Sequence, residues 1–135
     1  MDLNTALVAI HAHVCGDGNM YVKKEKRSPS SIRTGRSTKP FDRYIIEYTN
    51  TDDHLLELMI SDVKALLQKS YVYLSRKKHR IQVRSKSLFF SLRHLGYIDG
   101  NNWSIPEKVV QNETFRRIWL RAIFDDEGCV YKSSI

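Results

Sequence analysis

Two short segments place an acid beside a glycine at the end of an apolar, small-residue run: Ile10-His-Ala-His-Val-Cys-Gly-Asp17-Gly18 and Leu120-Arg-Ala-Ile-Phe-Asp-Asp-Glu127-Gly128. At a fixed offset of 110 residues Ala12 falls on Ala122, Asp17 on Glu127, Gly18 on Gly128 and Tyr21 on Tyr131, so the match is a spaced internal repeat. An acid repeated at a helix end suggests two carboxylates brought together. Mg²⁺ is commonly held by one or two protein carboxylates, with waters and substrate phosphates completing its shell. Asp-Gly is also a common turn pair, and a single copy would read as a helix stop. Two copies in matching helical context favour the paired site. His11 and His13 are poor metal candidates, because positions i and i+2 point to different helix faces and no third ligand is in sight. The serines and histidines form no recognisable nucleophile triad, and no phosphate-loop glycine pattern occurs.

The elements that must position these acids follow from hydrophobic periodicity. Residues 4 to 16 suit a short buried helix, with Asp2, Asn4 or Thr5 as its cap and small residues that admit a close neighbour. Met20 to Lys24 and Phe41 to Tyr48 read as the strands of a long hairpin with a polar, basic tip between Ser28 and Pro40. A helix from about Asp52 to Gln68 follows, with Leu55, Leu58, Met59, Val63, Leu66 and Leu67 on its inner side. Tyr71 to Arg76 and Arg80 to Arg84 form a second hairpin, in which Arg80, Gln82 and Arg84 alternate with Ile81 and Val83. Ser85 or Ser87 starts a third helix, Leu88 to Leu95, closed by Gly96. Asn101 to Pro106 is a turn and linker, and Glu113 to Asp126 a final amphipathic helix carrying Phe115, Ile118, Trp119, Ala122 and Ile123.

With 135 residues, 41% of them apolar, the chain can bury one ordinary core and reads as a single domain, 1–135. Its net charge of +7 favours a polyanionic partner. The distribution says more than the total. Fifteen of the 22 Lys and Arg residues lie in two stretches, Lys23 to Arg43 and Arg76 to Arg93, against only Glu25 and Asp42. Cys15 and Cys129 have no metal-ligand spacing, no apolar run reaches membrane-span length, and the amino terminus lacks a basic signal-type region. Reduced thiols in a cytoplasmic protein are expected.

The two acid-glycine segments, in an α-β-β-α-β-β-α order followed by one more helix, resemble the signature motifs of the LAGLIDADG homing endonucleases, especially the archaeal and intein-borne branch, where GDGN and FDDEG variants are common. The resemblance implies an α+β fold. An αββαββα unit with a four-stranded antiparallel saddle would span 1–100, a linker 101–112, a second motif helix 113–128 and a tail 129–135. The implied activity is metal-dependent, site-specific cleavage of double-stranded DNA by the chain or by an enzyme of which it is a fragment. A non-cleaving DNA- or RNA-binding module, a maturase or regulator on the same fold, is the alternative.

On this resemblance Asp17 and Glu127 are the catalytic metal ligands, with Mg²⁺ as cofactor, and Gly18 and Gly128 let the chain turn into a strand. Asp125 and Asp126 are weaker candidates because the family pattern sets the ligand next to the glycine. Lys86 lies where related sequences often read S-K-x-L, so it is either a third catalytic group or a solvated lysine at a helix start. A twisted ribbon with long polar side chains suits the DNA major groove. Arg43, Arg80, Gln82 and Arg84 are its expected readers, and Lys26, Arg27, Arg33, Arg36 and Lys39 on the hairpin tip are expected on phosphates. With one saddle only, Phe115, Trp119 and Ile123 would be partly uncovered, and a strand at Cys129 to Lys132 would expose an edge. A homodimer, symmetric or swapped through the motif helices, is therefore expected.

Overall fold

The computed structural model describes residues 1–26, 40–67, 72–100 and 102–127. Helix α1 (Thr5–Asp17) is capped by Asn4, whose Oδ1 accepts from the Leu7 N–H at 3.0 Å. Leu7, Val8, Ile10, His11, Ala12, His13, Val14 and Cys15 are all buried. A helix covered on nearly every side belongs in the centre of a core. It is walled by four other elements and by the last helix of the chain.

Strand β1 (Gly18–Glu25) leaves α1 directly and pairs antiparallel with β2 (Phe41–Thr49). Helix α2 (Asp53–Leu66) follows, with Asp52 accepting from the His54 N–H at 2.9 Å. Its buried residues are Leu55, Leu56, Met59 and Val63, while Leu58 is 40% exposed. The expected inner face was thus rotated by a fraction of a turn, because Leu56 and Leu58 are chemically alike and only packing separates them. Strands β3 (Val72–Ser75) and β4 (Arg80–Arg84) form the second hairpin. Its turn ends at His79, whose φ of 50° is the left-handed conformation that a tight turn needs and that His tolerates better than most residues. The sheet is four-stranded and antiparallel in the order β1-β2-β4-β3, so the two hairpins join through β2 and β4.

Helix α3 (Lys86–Leu95) begins at Ser85, whose hydroxyl accepts from the Leu88 N–H at 3.1 Å. The segment read as a featureless linker contains a one-turn helix, α4 (Glu107–Val110), entered at Pro106 and setting Val109 fully inside. One turn is too short to show a hydrophobic period. Helix α5 (Glu113–Asp126) has the predicted bounds, and Asn112 accepts from the Phe115 N–H. It packs along α1, with Ala12 and Ala122 both buried.

One packing expectation is corrected for two of its three residues, while the third, Phe115, is half-buried as expected. Trp119 is 3% and Ile123 7% exposed, because α1 covers them, whereas Phe124 on the opposite flank of α5 is 48% exposed. Val14, its counterpart in the repeat, is fully buried. The tail from Gly128 to Ile135, including the anticipated strand at Cys129 to Lys132, and the hairpin tip with Arg27, Arg33, Arg36 and Lys39 lie outside the described residues.

Candidate functional site

The carboxyl ends of α1 and α5 meet. Side chains match in ascending order along the two helices: Trp119 Nε1 donates to His11 Nδ1 at 3.1 Å, and His13 Nδ1 lies 3.1 Å from both oxygens of Asp126. Farther along, a Cβ on Gly16 would stand 2.7 Å from Asp126 Oδ2, so glycine at this position is what allows the approach. His11 is committed on both nitrogens, since its Nε2 donates to the Gly96 carbonyl at 2.9 Å. Burial pulls its pKa down, in keeping with a neutral ring that accepts at one nitrogen and donates at the other. The histidines of the first motif are interhelical struts.

The three acids at the junction differ. Asp126, ranked below Glu127 from its distance to glycine, has a side chain with no exposure and accepts from Tyr48 Oη at 2.5 Å as well as from His13. Burial and the Asp126 carboxylate push the Tyr48 hydroxyl pKa upward. Glu127 caps α5 and is exposed. Asp17 is half-buried at the end of α1, and its Oδ2 accepts from Asn50 Nδ2 at 3.1 Å. Burial, reinforced by the negative charges of Asp126 and Glu127, pushes the Asp17 pKa from 3.8 to about 6, against the opposing Asn50 hydrogen bond. The charges of both Asp126 and Glu127 thus act on Asp17 at the junction.

Gly18 has a different reason for being glycine than the one expected. Its φ of −116° and ψ of −179° are ordinary extended values. A Cβ, however, would lie 2.6 Å from Val14 Cα and 2.7 Å from the Glu47 carbonyl oxygen. Close approach, not backbone freedom, excludes a side chain. Gly128 lies outside the described residues.

Lys86 is not brought to the acids. Its Nζ sits 5.6 Å above the Tyr44 ring. Tyr44 is four positions along β2 from Tyr48, a separation of roughly 13 Å at the usual strand rise. The lysine belongs with Phe41, Asp42, Arg43 and Arg84 at the far end of β2.

The sheet face turned away from the helices gathers the other predicted residues. The pairing register puts Tyr21, Ile45 and Arg84 in one row, Glu47, Gln82 and Tyr73 in the next, and Lys23 beside Arg43. Here the side chains are already linked. Tyr21 Oη donates to Glu47 at 2.6 Å, Gln82 Nε2 to the same carboxylate at 3.2 Å, and Arg84 Nε to Gln82 Oε1 at 3.0 Å. Arg84 also stacks 4.4 Å over Tyr73, and Arg43 pairs with Glu25 at 2.9 Å. The Nε groups of Arg43 and Arg80 are buried with no hydrogen-bond partner among the described residues. Lys26 is exposed at the end of β1. The sequence assigned Tyr21, Glu47 and Tyr73 no role on this face. Their strand parity was legible, but the pairing of β2 with β4 that puts them beside Gln82 and Arg84 was not.

Among the described residues no three His, Cys, Asp or Glu side chains converge as a ready metal cage, and no helix is long and apolar enough to cross a membrane. No protein-family model matches the chain, and no curated protein matches it. Solved structures do. One, of mesophilic variants from the homing endonuclease I-DmoI, aligns over 90% of this chain and 61% of its own with a TM-score of 0.52 at 16% identity. Another, a variant of I-DmoI in complex with its target DNA nicked in the coding strand and in the presence of Mn, aligns over 92% of this chain and 63% of its own with a TM-score of 0.55 at 16% identity. The chain thus spans about three-fifths of the length of these structures. Its αββαββα unit with a four-stranded antiparallel sheet and a further long helix is the LAGLIDADG homing-endonuclease fold.

Proposed function

We propose that the chain is a metal-dependent, site-specific double-strand DNA endonuclease of the LAGLIDADG type, or a segment of one. The observation that carries this reading is the meeting of the carboxyl ends of α1 and α5, where burial and the negative charges of Asp126 and Glu127 push the Asp17 pKa to about 6. An ionised pair held against its own repulsion is what a divalent cation relieves. The donor set fits Mg²⁺: half-buried and exposed carboxylate oxygens, too few for an all-protein cage, so that water and phosphate oxygens complete the shell. Such a cation, when bound, would lower the pKa of a water and neutralise charge on the attacking and leaving oxygens. Asp17 and Glu127 would hold it. Lys86 keeps a place on the phosphate-contacting surface, since its position over Tyr44 separates it from the acids.

Double-stranded DNA would lie on the open sheet face. Arg43, Arg80, Gln82 and Arg84 share that face, with Lys23 alongside, and cationic and amide side chains of this kind are suited to acceptors on a docked polyanion. Lys26, and Arg27, Arg33, Arg36 and Lys39 beyond it, would extend the contact to flanking phosphates. The working compartment would be the cytoplasm, and the assembled form a homodimer, symmetric or swapped through the motif helices.

Incubating the purified chain and Mg²⁺ with duplex DNA made by joining the sequences that flank its coding region tests the reading. Double-strand cleavage that disappears in Asp17→Asn and Glu127→Gln supports it. Binding of that duplex without cleavage by the parent would favour the non-cleaving module instead.

A further inference from the structure

Beside the two motif acids the junction holds a connected set of polar side chains, Asn50, Tyr48, Asp126 and His13. We propose that Asn50 is a positioning residue that presents the Asp17 carboxylate to the cation, and that the Tyr48–Asp126 hydrogen bond ties this placement to the second motif helix. The inference rests on the cation site proposed above.

Asn50 has little freedom of orientation. Its backbone N–H donates to the His79 carbonyl at 3.0 Å, and its Oδ1 accepts from the Asp52 N–H at 2.8 Å, closing the turn that starts α2. The amide NH₂ therefore faces the other way. There it donates to Asp17 Oδ2 at 3.1 Å and to Tyr48 Oη at 3.3 Å. Tyr48 is fully buried and gives its one proton to Asp126, so its lone pairs are what Asn50 meets. His13 grips Asp126 from the other side.

The path runs from α1 at His13 to Asp126 on α5, to Tyr48 on β2, to the turn at Asn50, and back to the end of α1 at Asp17. It gives Asp126 and Glu127, two of the three successive acids here, different tasks. Asp126 turns inward as the acceptor that locks the helix pair, which leaves Glu127 outside for the cation. Partners that orient a metal-binding carboxylate typically change metal affinity by about 10- to 100-fold when removed.

The test is Mn²⁺ binding to the full chain at neutral pH, read as free Mn²⁺ by electron paramagnetic resonance, without DNA or turnover. Asp17→Asn checks the site itself and should abolish binding. If it binds as the parent does, the cation site falls and this inference with it. Asn50→Ser keeps a hydroxyl that can accept from the Asp52 N–H but loses both amide donors, and should weaken Mn²⁺ binding about 10-fold with little change in the unfolding midpoint. Tyr48→Phe should weaken binding in the parent and add nothing once Asn50 is Ser, because it acts through Asn50. Parent-like Mn²⁺ affinity in Asn50→Ser, with Asp17→Asn inactive in binding, would overturn the role of Asn50 and leave the cation site standing. Additive losses in the double variant would overturn the link through Tyr48.

Discussion

Replacing Asp17 by Asn should stabilise the metal-free protein while destroying its capacity for the cation. The carboxyl titrates at about 6 in the folded chain against an ordinary value of 3.8, because burial and the charges of Asp126 and Glu127 oppose ionisation. At about 1.36 kcal/mol per pH unit this difference corresponds to roughly 3 kcal/mol of strain in the ionised fold at pH 7.5. Asp17 is only half-buried, so solvent screening reduces the expected gain to about 1–2 kcal/mol. Asparagine keeps an oxygen that can accept from Asn50. The sign follows from the direction of the shift: a carboxyl whose folded pKa is raised destabilises the fold above that pKa and is relieved as pH falls from about 6 toward 3.8. Urea unfolding of parent and variant at pH 7.5 and pH 4, each without metal, reads the effect. The gain should be present at pH 7.5 and vanish near pH 4. Millimolar Mg²⁺ should then stabilise the parent but not the variant, since a ligand that binds only the folded state adds to its stability. A variant no more stable than the parent at pH 7.5 would refute the claim that repulsion and burial at this junction oppose the charge on Asp17.

Other outcomes follow from single contacts. Gly18→Ala should cost about 1–3 kcal/mol in chemical unfolding, because its Cβ meets Val14 Cα and the Glu47 carbonyl oxygen, both backbone atoms with nowhere to retreat. Trp119→Phe, which leaves His11 Nδ1 without its indole donor, should cost about 1–3 kcal/mol by the same assay. On the open face, Arg84→Ala should weaken binding to the flanking-sequence duplex about 10-fold or more and flatten its salt dependence, whereas Leu58→Ala on the exposed side of α2 should leave DNA binding unchanged. Fluorescence anisotropy at several salt concentrations distinguishes the two.

Several features were readable because they are local. The alternation of Arg80, Gln82 and Arg84 with Ile81 and Val83 defines a strand with one polar face, and α5 follows from the apolar spacing of Phe115, Ile118, Trp119, Ala122 and Ile123. The acid-glycine repeat located both helix ends of the candidate site. Local signals were silent on Tyr48 and Asn50. A strand tyrosine is usually core, and Asn50-Thr-Asp-Asp reads as a helix start; both readings hold, yet the same two residues also join the acids. Their partners lie 33 and 78 residues away, beyond the reach of any local pattern.

By itself the sequence determined the alternation of hairpins and helices, the basic loading of the strands and the two carboxylates at the ends of apolar helices, since periodicity, capping and charge are properties of neighbouring residues. The tertiary structure decided which acid turns inward and which stays exposed, why Gly16 and Gly18 exclude a side chain, that Lys86 stands apart from the acids, and which polar residues share the open face. Each of these depends on how α1 meets α5 and how β2 meets β4. Those pairings are settled by packing between segments far apart in the chain.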